Sequence, residues 1–121
     1  MKIVKTVIIS LLFVIAALAQ EDPYKPVADE MPLPVGGYES LYKKIVYPAV
    51  AKNNAIEGKV YLLVYIGENG SVDDVKIVKG LGGGCDNAAE EAIRKTKFTP
   101  GKLQGKVIKV KLTIPVVFKL K

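Results

Sequence analysis

Near the C-terminus the even positions Ile108, Val110, Leu112, Ile114, Val116, Phe118 and Leu120 are all apolar, while Lys109, Lys111, Thr113, Pro115, Lys119 and Lys121 stand among the odd ones. A period of two held for that long belongs to a strand and not to a helix. It also pins the register, because a slip of one residue would turn the whole apolar set into water. Burying such a row stabilises by about 10–20 kcal/mol. Ordering its backbone costs a similar amount, so the strand forms only beside partners. The rest of the chain must therefore supply a sheet.

Two further strands are legible upstream. Gly58–Ile66 contains Val60-Tyr61-Leu62-Leu63-Val64-Tyr65-Ile66, which is β-branched and aromatic and apolar on both faces. A strand of that kind wants a neighbour on each side. Gly67-Glu68-Asn69-Gly70 follows, and Asn-Gly between apolar runs signals a hairpin. The return strand runs from Ser71 to Lys79. Between the return strand and the last one, Asn87–Lys95 reads as a helix, with a capping box from Asn87 to Glu90 and Asp86 as a competing cap. Its pairs Ala88/Ala92 and Ala89/Ile93 offer a small face that can sit close to a sheet. Ahead of the first strand, Tyr38, Leu41, Tyr42 and Ile45 fall at helical spacing. Pro48 ends that helix and opens a short second piece that stops near Asn53-Asn54.

The doubly apolar strand belongs in the middle. The last strand can lie on its free side after a right-handed crossover through the second helix. The expected fold is α+β: two helices packed on one face of a three-stranded antiparallel sheet, order 2-1-3. Pro115 supports an edge position for the last strand, since proline is tolerated there and not in central strands. Its lysines guard that edge against unwanted pairing.

The N-terminus reads as an export signal over residues 1–19, with Lys2 and Lys5 ahead of an apolar run and Ala17-Leu18-Ala19 as a cleavage pattern. The run Thr6–Ala19 would be about 21 Å long as a helix, short of a hydrocarbon core of about 30 Å. A cleaved signal and a periplasmic product are expected, with an uncleaved inner-membrane anchor as the alternative. Residues 20–37 hold Pro23, Pro26, Pro32 and Pro34 and read as an extended leader with little structure of its own. Residues 38–121 form the domain, and cleavage leaves roughly 100 residues, enough for one core.

Composition narrows the function. The chain has no His, so neither a Ser-His-Asp triad nor a His-ligated metal site can be built, and its single Cys makes no internal disulfide. The formal charge of +6 falls to about +4 without the signal, and Arg94 is the only arginine outside a field of dispersed lysines. Nucleic-acid binding is not expected. Gly80–Gly84 lacks the Lys-Ser/Thr of a phosphate loop. Asp73/Asp74 and Glu90/Glu91 are neighbours whose side chains diverge, and they read as solvated faces. Cys85, without a His and beside Asp86, reads as a half-buried structural thiol, with an interchain disulfide as the other option. No enzyme activity and no cofactor are expected.

An ordered set of motifs runs through the chain: Pro34-Val35-Gly36-Gly37, Tyr47-Pro48-Ala49-Val50-Ala51, Glu57-Gly58-Lys59-Val60, Asn69-Gly70-Ser71-Val72, Gly82-Gly83-Gly84-Cys85-Asp86-Asn87-Ala88-Ala89, Lys97-Phe98-Thr99-Pro100-Gly101-Lys102 and Ile114-Pro115-Val116-Val117-Phe118. Together, over about Met31–Leu120, these resemble the TonB C-terminal domain, in particular its short energy-transducer type. The resemblance implies a periplasmic module that grips an extended "TonB box" from the plug of an outer-membrane TonB-dependent receptor, added as a strand beside the last strand. It nominates Lys109, Val110, Lys111, Leu112, Thr113 and Ile114 as partner-binding residues, with Tyr47 and Pro48 beside them. Tyr47-Pro48 also has a plain reading as a helix stop. The membrane span, the motor-coupling helix and the long proline-rich spacer of full-length family members have no counterpart here, so inner-membrane motor proteins are expected as indirect partners. The alternative is a structural or assembly module that pairs with itself, as a homodimer, or with another envelope protein through the same edge.

Overall fold

The computed structural model describes residues 22–121; the expected export signal and its expected cleavage point lie outside them. β1 (Gly58–Ile66) is the centre of a three-stranded sheet, with β2 (Val72–Lys79) antiparallel on one side. On its other side lies the long last strand, β5 (Val110–Phe118), antiparallel and without a register shift from Gly58↔Phe118 to Ile66↔Val110. The order β2-β1-β5 is the expected 2-1-3. It follows from the composition of β1, whose residues Val60, Leu62, Val64 and Ile66 are wholly buried.

The helices are α1 (Gly37–Lys43), α2 (Ala49–Asn53) and α3 (Cys85–Arg94). They bring Leu41, Ala51, Cys85, Ala89, Ala92 and Ile93 into one cluster with the even residues of β1 and with Ile114, Val116 and Phe118 of β5. The alanines of α3 matter because they have no long side chain to hold helix and sheet apart. The opposite face of the sheet, with Tyr61, Leu63 and Tyr65, is only half-buried. The cover that the apolar composition of β1 called for on that side is partial.

Four local details differ from the sequence reading. The β1–β2 hairpin forms around Asn-Gly, but through a longer loop: Gly70 N–H donates to Gly67 C=O, Gly67 N–H donates to Ser71 C=O, and Gly70 takes a left-handed φ of 82°. Asn69 accepts from the Ser71 N–H instead of adopting positive φ itself. The two-residue turn with positive φ at both positions occurs elsewhere, at Gln104 and Gly105 (52° and 76°). It joins two strands the sequence did not announce, β3 (Gly101–Leu103) and β4 (Lys106–Ile108).

The alternation from Ile108 to Leu120 is thus one pattern serving two pairings. Ile108 pairs with Gly101, Lys109 lies between strands, and β5 begins at Val110 because β1 has already turned away after Ile66. Within the row, Val110, Ile114, Val116 and Phe118 are buried, while Ile108, Leu112 and Leu120 are half-buried.

The capping box does not form. α3 starts at Cys85 from Gly84, whose φ of 86° is left-handed, whereas a side-chain cap requires an extended residue there. Asp86 accepts instead from the N–H groups of Leu81 (2.7 Å) and Gly82 (3.3 Å), and Glu90 pairs with Arg94.

Residues 22–36 form neither a helix nor a named strand and draw their order from the domain. Glu30 exchanges both backbone bonds with Lys102, Val35 N–H reaches Lys97 C=O, and Pro32 is fully buried. Proline content marked the segment as non-helical but could not show that the domain carries acceptors for it.

Candidate functional site

β5 has β1 on one side only. In an antiparallel ladder, alternate residues direct both N–H and C=O to the same side. Lys111 N–H points away from β1, since it donates to Lys25 C=O at 3.0 Å. With no register shift along the pair, Thr113, Pro115 and Val117 point outward as well. Pro115 therefore sits where its missing N–H costs no bond to β1. The carbonyls of Lys111, Thr113, Pro115 and Val117 and the amides of Thr113 and Val117 have no partner among the described residues. That is a row of up to six backbone groups open to a further strand.

The upstream end of this edge is taken. Lys25 N–H donates to Lys109 C=O at 2.9 Å, and Lys25 bridges to Val110 in parallel orientation. Side chains surround the bridge. Asp22 holds Lys111 Nζ at 2.9 Å, and that bond keeps the Asp22 carboxyl below the usual carboxylate range and the Lys111 ammonium above its own. The Tyr24 hydroxyl donates to Asp73 at 2.7 Å, which pushes the phenol up to about 12. Its ring stands edge-on to Tyr65, with centroids 4.9 Å apart, and Lys109 Nζ lies 5.5 Å from its centre.

The nominated residues separate into groups. The backbones of Lys109, Lys111 and Thr113 face the open edge. Val110, Leu112 and Ile114 pair inward to Ile66, Val64 and Leu62, with Val110 and Ile114 buried. Tyr47 and Pro48 are at the far end: Tyr47 stacks edge-on with Phe118 at 5.4 Å, and β5 spans roughly 25–30 Å between its ends. The Tyr47 hydroxyl donates to Ile56 C=O, burial pushes its phenol up, and Lys52 Nζ stands 5.9 Å from its ring. Pro48 leads into α2 with an extended ψ of 140°. Tyr47 thus packs at the C-terminal end of β5 with Pro48 next to it in the chain, and neither is paired with Lys109–Ile114. Pro115 and Val117 were not nominated, yet they belong to the edge. The parity of Pro115 was the available signal, because an edge proline must share its side with the outward residues.

Cys85 is wholly buried rather than half-buried, and burial followed by the Asp86 charge pushes its thiol up. Among the described residues no three His, Cys, Asp or Glu side chains come together as a metal site, and no helix is long and apolar enough to cross a membrane.

Comparison with known proteins adds to this geometry. Residues 43–120 match the family described as Gram-negative bacterial TonB protein C-terminal. Protein tonB2 of Pseudomonas aeruginosa is 33% identical over 75 residues, which is 61% of this chain and 28% of that protein. Protein TonB of Xanthomonas campestris pv. campestris is also 33% identical over 75 residues, 61% of this chain and 34% of that protein. The chain thus spans about a third or less of these relatives. The solution structure of the Helicobacter pylori TonB C-terminal domain superposes with a TM-score of 0.55 at 33% identity, covering 69% of this chain and 88% of that one. That of Pseudomonas aeruginosa gives 0.52 at 25% identity, covering 85% and 92%.

Proposed function

This chain belongs to the family of Gram-negative bacterial TonB C-terminal domains, and from that premise we propose that it serves TonB-dependent transport as a periplasmic docking module. It takes up an extended segment of an outer-membrane receptor, the TonB box, as a fourth strand along β5. The observation that carries this reading is the row of outward backbone groups from the Lys111 carbonyl to Val117 that have no partner among the described residues. Each new backbone bond contributes about 0.5–1.5 kcal/mol net. Ordering the peptide consumes part of that, so affinity is on the order of micromolar. Backbone pairing tolerates many sequences, and selectivity falls to the side chains beside the edge. Lys109 and Lys111 act mainly through charge, so removing them slows association and flattens its salt dependence.

Titration of the protein with receptor-derived box peptides, read by amide chemical shifts, tests the proposal. Shifts along Lys109–Phe118 are expected. Binding that perturbs other residues and leaves that stretch untouched overturns it. A dimer that persists on dilution and pairs through β5 would replace it with the assembly role.

A further inference from the structure

We propose that Asp22–Lys25 is a displaceable stand-in for the partner strand, seated on the Lys109–Lys111 end of the edge, and that an extended peptide pairs with the whole of β5 only by evicting it. The inference rests on the reading of β5 as a docking edge. The grip is suited to release. It uses the backbone of one residue, Lys25, and Pro23, the preceding residue of the same parity, has no N–H with which to extend the pairing. Its side-chain hydrogen bonds to the domain, Asp22 to Lys111 and Tyr24 to Asp73, lie at the exposed surface. The segment behind it is held separately, by Glu30 on Lys102, Val35 on Lys97 and the buried Pro32. The tip can lift while that strap stays in place.

A tethered tip competes at an effective concentration near millimolar. If it is seated nine-tenths of the time, the apparent affinity for an incoming strand is about tenfold lower than that of the open edge. The tip also displays what the site recognises. A competitor that recovers its contacts brings a carboxylate for Lys111 and, two residues later, an aromatic ring for the space between Tyr65 and Lys109. The partner class is an extended segment of pattern acid-x-aromatic.

The probe is a synthetic peptide copying residues 20–27, added to the unaltered protein and to a Tyr24→Ala/Lys25→Pro variant. The variant should bind it about tenfold more tightly, with amide shifts at Tyr65 and Lys109–Thr113. Asp22→Ala alone should give a smaller gain in the same direction. A peptide carrying Ala at the Asp22 and Tyr24 positions should bind more weakly to both proteins. Amides of β1 report that each variant is folded. Equal affinity in the unaltered protein and the folded variants, with only a lower melting temperature, overturns the proposal and leaves the tip a structural clamp. Receptor-derived peptides keep the two readings apart. If they bind both proteins equally along β5, eviction fails and docking stands. If they bind neither while the residue 20–27 peptide seats on β5, docking fails and the self-occupied edge stands.

Discussion

A Cβ at Gly70 would lie 1.9 Å from the Phe98 carbonyl oxygen, and the residue's φ of 82° is one that side chains rarely adopt. Gly70 C=O also accepts the Phe98 N–H at 2.9 Å, so the β1–β2 loop and the chain after α3 meet through bare backbone. Gly70→Ala should therefore cost more than about 2 kcal/mol in denaturant unfolding, combining a clash with left-handed strain. At Tyr24 the governing effect is the hydrogen bond to Asp73. The Asp73 carboxylate favours the protonated phenol, so the Tyr24 contact is complete below the ordinary phenol value of 10.0 and is lost as pH rises through about 12. Asp73→Asn should return the Tyr24 titration toward 10.0, measured by its ring carbon shifts. Asp22 runs the other way. Its lowered carboxyl keeps the Lys111 contact complete above the ordinary 3.8 and loses it as pH falls below that value.

Among the elements, β5 carries two unlike faces of one backbone. Its even residues bond to β1 and its odd residues face outward, so the same strand separates stability from docking. Thr113→Pro removes an outward N–H and leaves every bond to β1 in place. Peptide affinity should fall several-fold while the unfolding midpoint moves much less. A loss of stability as large as the loss of binding would place that N–H on the β1 side. The strands also differ in depth. Leu62 is wholly buried at the centre of the sheet, and Leu62→Ala should cost about 2–5 kcal/mol. Leu112, half-buried near the open end, should cost less than about 2 kcal/mol when shortened to Ala. Both are read from the same denaturant experiment.

For the whole molecule, the order of amide exchange should follow the pairing. β1 lies between two strands and should exchange slowest, whereas Thr113 and Val117, which face no described partner, should exchange fast. Lys111 is the informative amide, because its only acceptor among the described residues is Lys25. It should be moderately protected in the unaltered protein and as fast as Thr113 in the Tyr24→Ala/Lys25→Pro variant. Equal protection in both would mean that the tip does not hold that N–H in solution. The domain's limits are set in the same way. Residues 22–36 contribute no helix and no long strand, yet their bonds to Lys97, Lys102, Lys109 and Lys111 make them part of the folded unit.

The sequence by itself determined what depends on local period and composition. Alternation marked β5 as a strand with one buried face, β-branched and aromatic composition marked β1 as a strand apolar on both, and helical spacing together with Pro48 placed the broken first helix. The doubly apolar β1 and the edge proline Pro115 were enough to order the sheet. Tertiary structure decided whatever depends on groups distant in the chain. The row Ile108–Leu120 reads as one strand, but its partner changes at Lys109 because β1 ends at Ile66. Asn87 and Glu90 have capping spacing, but three left-handed glycines bring the chain into α3 from the wrong direction for a side-chain cap. Tyr47 and Pro48 are conspicuous in sequence and stand at the far end of β5 from Lys109, since helix packing and not motif order sets their place. Lys25 carried no signal at all. Period and propensity describe how a residue treats its neighbours in the chain, and the hydrogen bonds from Lys25 to Lys109 and Lys111 exist only once folding has brought the leader to the edge.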